Sequence, residues 1–94
     1  MITILSFYKF KKIKKLKLIK KMLFKKINLL SVKGLIILSP EGINGTLSGS
    51  QKNISIIKKH ILSCFNISKF DVQNITKSNF VPFLKTKIKI KPEV

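Results

Sequence analysis

The spacing of the apolar residues switches between a strand-like and a helical period along the chain, and that switching restricts the fold more than any single residue does. Residues Ile2 to Tyr8 are β-branched and aromatic and predict a first strand. From Lys11 to about Leu30 the period becomes helical, with Ile13, Leu16, Ile19, Leu23, Phe24, Ile27 and Leu30 on one face and lysines over most of the rest. Leu18 and Met22 fall off that stripe and Lys20 intrudes on it. Gly34 ends the unit, and Leu35 to Ser39 is a continuous apolar run of the kind found in a central strand, stopped by Pro40. The segment Glu41-Gly42-Ile43-Asn44-Gly45, followed by Thr46-Leu47-Ser48, predicts a hairpin. Its turn is expected at Asn44-Gly45, because that dipeptide tolerates positive φ. Ser48 or Ser50 caps a second helix from Gln51 to about Phe65, with Ile54, Ile57, Ile61, Cys64 and Phe65 as its apolar face and Asn66 as its terminator. Phe70 to Ile75 and Thr86 to Ile90 predict two further strands, with Pro82 in the connection between them.

Strand, helix, strand, strand, helix, strand, with one strand added, is the order of a split βαβ, ferredoxin-like α+β sandwich. The expectation is a four- or five-stranded, largely antiparallel sheet with two helices on one face, and 94 residues suit a single domain, 1–94. Apolar residues make up 45% of the chain, enough for a core and too many for a disordered basic tail. No apolar run approaches the roughly 20 residues needed to cross a bilayer. The N-terminus also lacks the residue order of a signal peptide, so no stable membrane insertion and a cytoplasmic location are expected.

Lysine supplies all 20 basic residues, against three acids (Glu41, Asp71 and Glu93), for a formal net charge of +17. The charge has two readings. A genome biased toward A and T would produce a chain rich in Lys, Ile and Asn without arginine. Alternatively, the charge serves an anionic partner, nucleic acid or a membrane surface. A lone Cys64 excludes an intrachain disulfide and a cysteine-only zinc site, and a single His60 adds too little to build a structural metal site.

Few residues suggest chemistry. His60 and Cys64 stand four apart on the second helix, the spacing of a facing pair. With no orienting carboxylate and with Cys64 on the apolar face, the expected role is a small buried hydrophobe rather than a nucleophile. Glu41 lies in the loop between two strands, where it makes either a specific polar contact or bonds to the N–H groups of its own turn. Tyr8 and Phe10 could stack on bases, while Phe7 or a neighbour fills the core; strand alternation exposes only one face, which puts Phe7 in and Tyr8 out or the reverse.

Three segments carry a family resemblance: Ser6 to Phe10, Gly34 to Gly49 with its Pro-Glu-Gly-Ile-Asn-Gly-Thr core, and Phe83 with Lys87 to Val94. Together they closely resemble the N-terminal domain of the rhodanese-containing, oxygen-dependent tRNA uridine hydroxylases. The resemblance covers essentially the whole chain, apart from a lysine-saturated first helix and Pro92 in place of a usual basic residue. It implies an acylphosphatase-like, ferredoxin-like domain followed by a rhodanese domain whose loop cysteine is needed to hydroxylate the wobble uridine. Molecular oxygen would be co-substrate of the full-length family, and no cofactor is expected in this chain. Because the given sequence stops where the family's first domain ends, the expectation is a truncated or split module, completed by a separately encoded rhodanese domain. Cys64, in the second helix, does not take the catalytic role. Acylphosphatase activity is not expected either, since its phosphate cradle requires arginine.

The implied partner is tRNA, through its anticodon arm, and the implied contact residues are Tyr8, Lys9, Phe10, Glu41, Asn44, Lys85, Lys87 and Lys89, helped by lysines of the first helix. A second reading is a cationic amphipathic protein whose Lys9–Lys26 helix lies on anionic membranes.

Overall fold

A computed structural model describes residues 1–92. The elements run β1 (Ile2–Phe10), α1 (Leu16–Leu29), β2 (Lys33–Ser39), β3 (Gly42–Gly49), α2 (Gln51–Cys64), β4 (Val72–Ser78) and β5 (Thr86–Ile90). The sheet has five strands in the order β4-β1-β3-β2-β5. All neighbours are antiparallel except β2 and β5, which run parallel. This is the expected ferredoxin-like sandwich, and the added strand extends it at the β2 edge.

Alternation along the strands separates two faces. Leu5 and Phe7 of β1, Ile36 and Leu38 of β2, Ile43 and Leu47 of β3 and Ile88 of β5 are buried beneath Leu23 and Ile27 of α1 and Ile54, Ile57 and Ile61 of α2. Phe70, just before β4, completes this layer by stacking on Phe7 with ring centroids 4.6 Å apart. α1 lies behind β2 and β5, and α2 behind β1 and β3, so both helices occupy one side of the sheet.

Four local expectations are corrected. The first helix starts at Leu16, not Lys11. The N–H groups of Lys11 and Ile13 instead donate to Glu41 O and Pro40 O, both at 3.0 Å, continuing the chain alongside the β2–β3 turn. A lysine-crowded start opposes the helix dipole, and no side chain caps α1. The same helix is closed by Ser31 at φ 54°, whereas Gly34 lies inside β2 at φ 146°, where a Cβ would collide with the backbone of Thr46 and Leu47.

The hairpin turns at Pro40-Glu41 rather than at Asn44-Gly45, which are paired residues within β3. Gly45 is required there by packing. A Cβ on it would stand 2.9 Å from Phe7 Cζ and 2.8 Å from Leu35 O, so the missing side chain is the space the Phe7 ring occupies. Finally, β4 begins at Val72, because Phe70 is spent on the core and Asp71 on a cross-strand clasp described below. The second helix follows expectation: Ser50 Oγ accepts from Asn53 N at 3.1 Å, and Asn66 leaves the helix at φ 52°.

Candidate nucleic-acid interface

Among the described residues no helix packs on the face of the sheet away from α1 and α2, and only the β4–β5 connection stands against it, at the β5 end. Period-two alternation and the strand register place Tyr8, Asn44, Ile37 and Lys89 in one row across β1, β3, β2 and β5, with Val72 of β4 at the far end. A second row holds Asn74, Ser6, Thr46, Leu35 and Lys87. Ser6 Oγ and Thr46 Oγ1 are 3.3 Å apart within it. Four of the residues singled out from the sequence, Tyr8, Asn44, Lys87 and Lys89, therefore share one surface. Phe10 joins them, 61% exposed and edge-on to Tyr8 with centroids 4.8 Å apart. Phe7 points in and Tyr8 out.

The ends of the rows differ in charge. The β4 edge presents Val72, Asn74 and Thr76 on this face. At the other edge Lys87 and Lys89 stand on β5, with Lys85 just before it, Lys91 just after it and Lys33 on adjacent β2. Behind the same edge, on the helix side, α1 exposes Lys17, Lys20, Lys21 and Lys25. The lysines of the first helix and last strand thus flank one edge of the sheet from its two sides.

Lys9 belongs elsewhere. It lies on the helix side of β1, and its Nζ is 3.1 Å from Asp71 Oδ1. Asp71 Oδ2 accepts from Phe10 N at 2.8 Å, so this carboxylate clasps β1 from the start of β4. The Phe10 N–H bond and the Lys9 ammonium hold the Asp71 carboxyl below its ordinary range. Glu41 sits in the β2–β3 turn, its backbone N–H donating to Ser39 Oγ at 3.2 Å. The Tyr8 phenol is pushed up, chiefly by loss of hydration and then by the Glu41 and Asp71 carboxylates.

The remaining chemistry is quiescent. Cys64 Sγ is 3.5 Å from His60 Nε2, as the spacing foretold. Burial pushes the thiol up, while burial and Lys26 push the imidazole down, and both shifts favour the neutral groups over a thiolate–imidazolium pair. Among the described residues there is no cluster of three or more metal-ligating side chains, and no helix long and apolar enough to cross a membrane.

The sequence reading placed Pro82 in the β4–β5 connection but did not single out the exposed apolar residues around it. Phe80, Val81 and Leu84 are exposed there, and a groove of about 500 Å³ opens between this connection and the Leu35, Lys87 and Lys89 side chains. The signal was present in the sequence as a run of apolar residues in a segment that is neither strand nor helix.

Residues 2–94 match the family described as UPF0176 acylphosphatase like domain. The tRNA uridine(34) hydroxylase of Pelagibacter ubique (strain HTCC1062) is 42% identical over 94 residues, covering 100% of this chain and 31% of that protein. The protein of the same name from Legionella pneumophila (strain Paris) is 29% identical over 93 residues, covering 99% of this chain and 36% of that one. The chain thus spans about a third of the length of the curated relatives it matches. Acylphosphatase from Bacillus subtilis superposes with a TM-score of 0.65 at 8% identity, covering 97% of this chain and 100% of that one. At that identity the likeness is one of fold alone.

Proposed function

Since this chain belongs to the UPF0176 acylphosphatase-like domain family, we propose that it is the tRNA-binding N-terminal module of an enzyme that hydroxylates the wobble uridine. The observation that carries this reading is the uncovered sheet face, on which Tyr8 and Asn44 share a cross-strand row with Lys89. Tyr8 is half-buried with its ring on the open face and Phe10 beside it is exposed, and an aromatic ring so placed on a sheet is a stacking platform for an unpaired base. An amide beside it can pair with a base edge, and lysines at the end of the row grip phosphates. Lysine is a point charge that reads no sequence, so most of the affinity is non-specific. Discrimination falls to Tyr8, Phe10 and Asn44, with Glu41 shaping the near end of the face. The hydroxylation itself is the work of groups beyond this domain, whether on the same or a separate polypeptide. At Cys64 and His60 burial favours the neutral thiol and imidazole, which argues against a nucleophile here.

A competing reading rests on Leu18, Met22 and Leu29, an exposed apolar stripe of α1 among lysines, which suits an anionic bilayer surface. One titration separates the two. The protein is titrated with a tRNA anticodon-arm hairpin, an unrelated hairpin of equal length, and vesicles containing anionic lipid. The expected order is anticodon arm, unrelated RNA, vesicles, and Tyr8→Leu should erase the preference between the RNAs while leaving most of the affinity. Tighter binding to vesicles than to either RNA would overturn the proposal.

A further inference from the structure

The groove at the β5 edge has a composition that narrows its ligand. Its lining combines the apolar side chains of Leu35, Pro82, Phe83 and Leu84 with three ammonium groups, Lys85, Lys87 and Lys89, and holds no acid among the described residues. Leu84, which lines it, is 87% exposed and nearby Phe80 is 72% exposed, an unusual outlay of large apolar side chains in so small a domain. A cation is repelled by these lysines, and a purely apolar ligand has no use for three ammonium groups. A ligand with a flat apolar body and attached negative charge matches both parts. Its volume of about 500 Å³ lies within the range of small-molecule sites.

We infer that this groove seats one unpaired nucleotide of a bound RNA, its base against Phe83 and Leu35 and its flanking phosphates against Lys85, Lys87 and Lys89. The inference rests on the proposed RNA-binding function and deepens it by naming the form of RNA required. Lys87 and Lys89 project from the same side of β5 about 6.7 Å apart, a spacing that lets both grip one extended backbone. Tyr8 and Lys89 share a row with two strands between them, about 14 Å apart at about 4.8 Å per strand. A strand that occupies both the groove and the Tyr8 platform must splay its bases apart. Paired and stacked duplex RNA does not do this, whereas a single-stranded loop does.

The test compares the intact protein's affinity for a short single-stranded RNA with that for an abasic strand of equal phosphate count and for the matching duplex. The base-bearing strand should bind roughly 5- to 150-fold more tightly than the abasic one, the range that stacking of one base supplies. Part of that advantage should survive Tyr8→Leu and should fall in Phe83→Ala. Leu35→Thr, which suits a strand and removes apolar lining from the groove, gives the same readout if Phe83→Ala does not fold. Equal affinity for base-bearing and abasic strands would overturn the inference while leaving RNA binding intact. So would a base dependence that only Tyr8→Leu abolishes. Failure to bind any of the RNAs at low salt would instead defeat the underlying functional reading.

Discussion

Neutralising the lysines of the β5 edge should change the salt dependence of RNA binding by an amount the fold allows to be worked out. Lys33, Lys85, Lys87, Lys89 and Lys91 gather at that edge on or beside the uncovered face. Each phosphate neutralised on single-stranded RNA adds about 0.7 to the magnitude of the slope of log affinity against log salt. Full engagement of this group gives a slope near −3.5, so raising salt from about 50 to about 200 mM should weaken binding about 100-fold. Replacing Lys87 and Lys89 by Gln removes about 1.4 from the magnitude, leaving a slope near −2.1 and a loss of about 20-fold over the same range. The assay is fluorescence anisotropy of a labelled anticodon-arm RNA at several salt concentrations. Lys17→Gln with Lys21→Gln, behind the same edge, is the matched control and should lower the slope less. An unchanged slope in the β5 variant, with the full decrement in the α1 variant, would refute the reasoning and move the phosphate path to the helical side.

Other consequences concern the scaffold. Gly45→Ala places a methyl group 2.9 Å from Phe7 Cζ and 2.8 Å from Leu35 O, so it should destabilise the domain by about 1–3 kcal/mol. At roughly 4–8 °C per kcal/mol the loss is visible as a fall in Tm. Asp71 has a carboxyl held below its unfolded value, so its contribution is present above about pH 4 and is lost as pH falls through the lower folded value. Urea midpoints followed downward from pH 6 should show this decline, and Asp71→Asn should remove that part of it. Cys64, with its thiol pushed up by burial, should react with iodoacetamide more slowly than free cysteine at neutral pH. Alkylation as fast as the free amino acid would mean that the thiol is neither covered nor protonated as described.

Much of this architecture is legible in the residues because local signals agree with one another. The period switches give the order of the elements, Ser50 and Asn66 bound the second helix, and simple alternation sets Phe7 and Tyr8 on opposite faces. The errors arise where a long-range contact overrides a local preference. Asn44-Gly45 is a favoured turn pair, yet Phe7 needs the space above Gly45 and Pro40-Glu41 makes the turn instead. The first helix has apolar spacing from Ile13 onward, but the N–H groups of its first residues find better partners on Pro40 and Glu41. For the candidate site, residue types point to Tyr8, Asn44 and the terminal lysines. Their assembly into rows depends on register between strands far apart in sequence, which no local pattern encodes. Lys9 could have been set apart from Tyr8 and Phe10 by the two-residue period alone.

The central claim is that RNA lies on the uncovered sheet face against Tyr8, and one spectroscopic property tests it directly. Tyr8 is the only tyrosine and the chain has no tryptophan, so tyrosine emission reports that single position. Emission is recorded while an anticodon-arm RNA is added at low salt, with binding followed independently by anisotropy. Stacking of a base on the ring predicts quenching that saturates with the binding curve and is reversed by raising the salt. Saturated binding with Tyr8 emission unchanged would contradict the account and place the RNA on another surface.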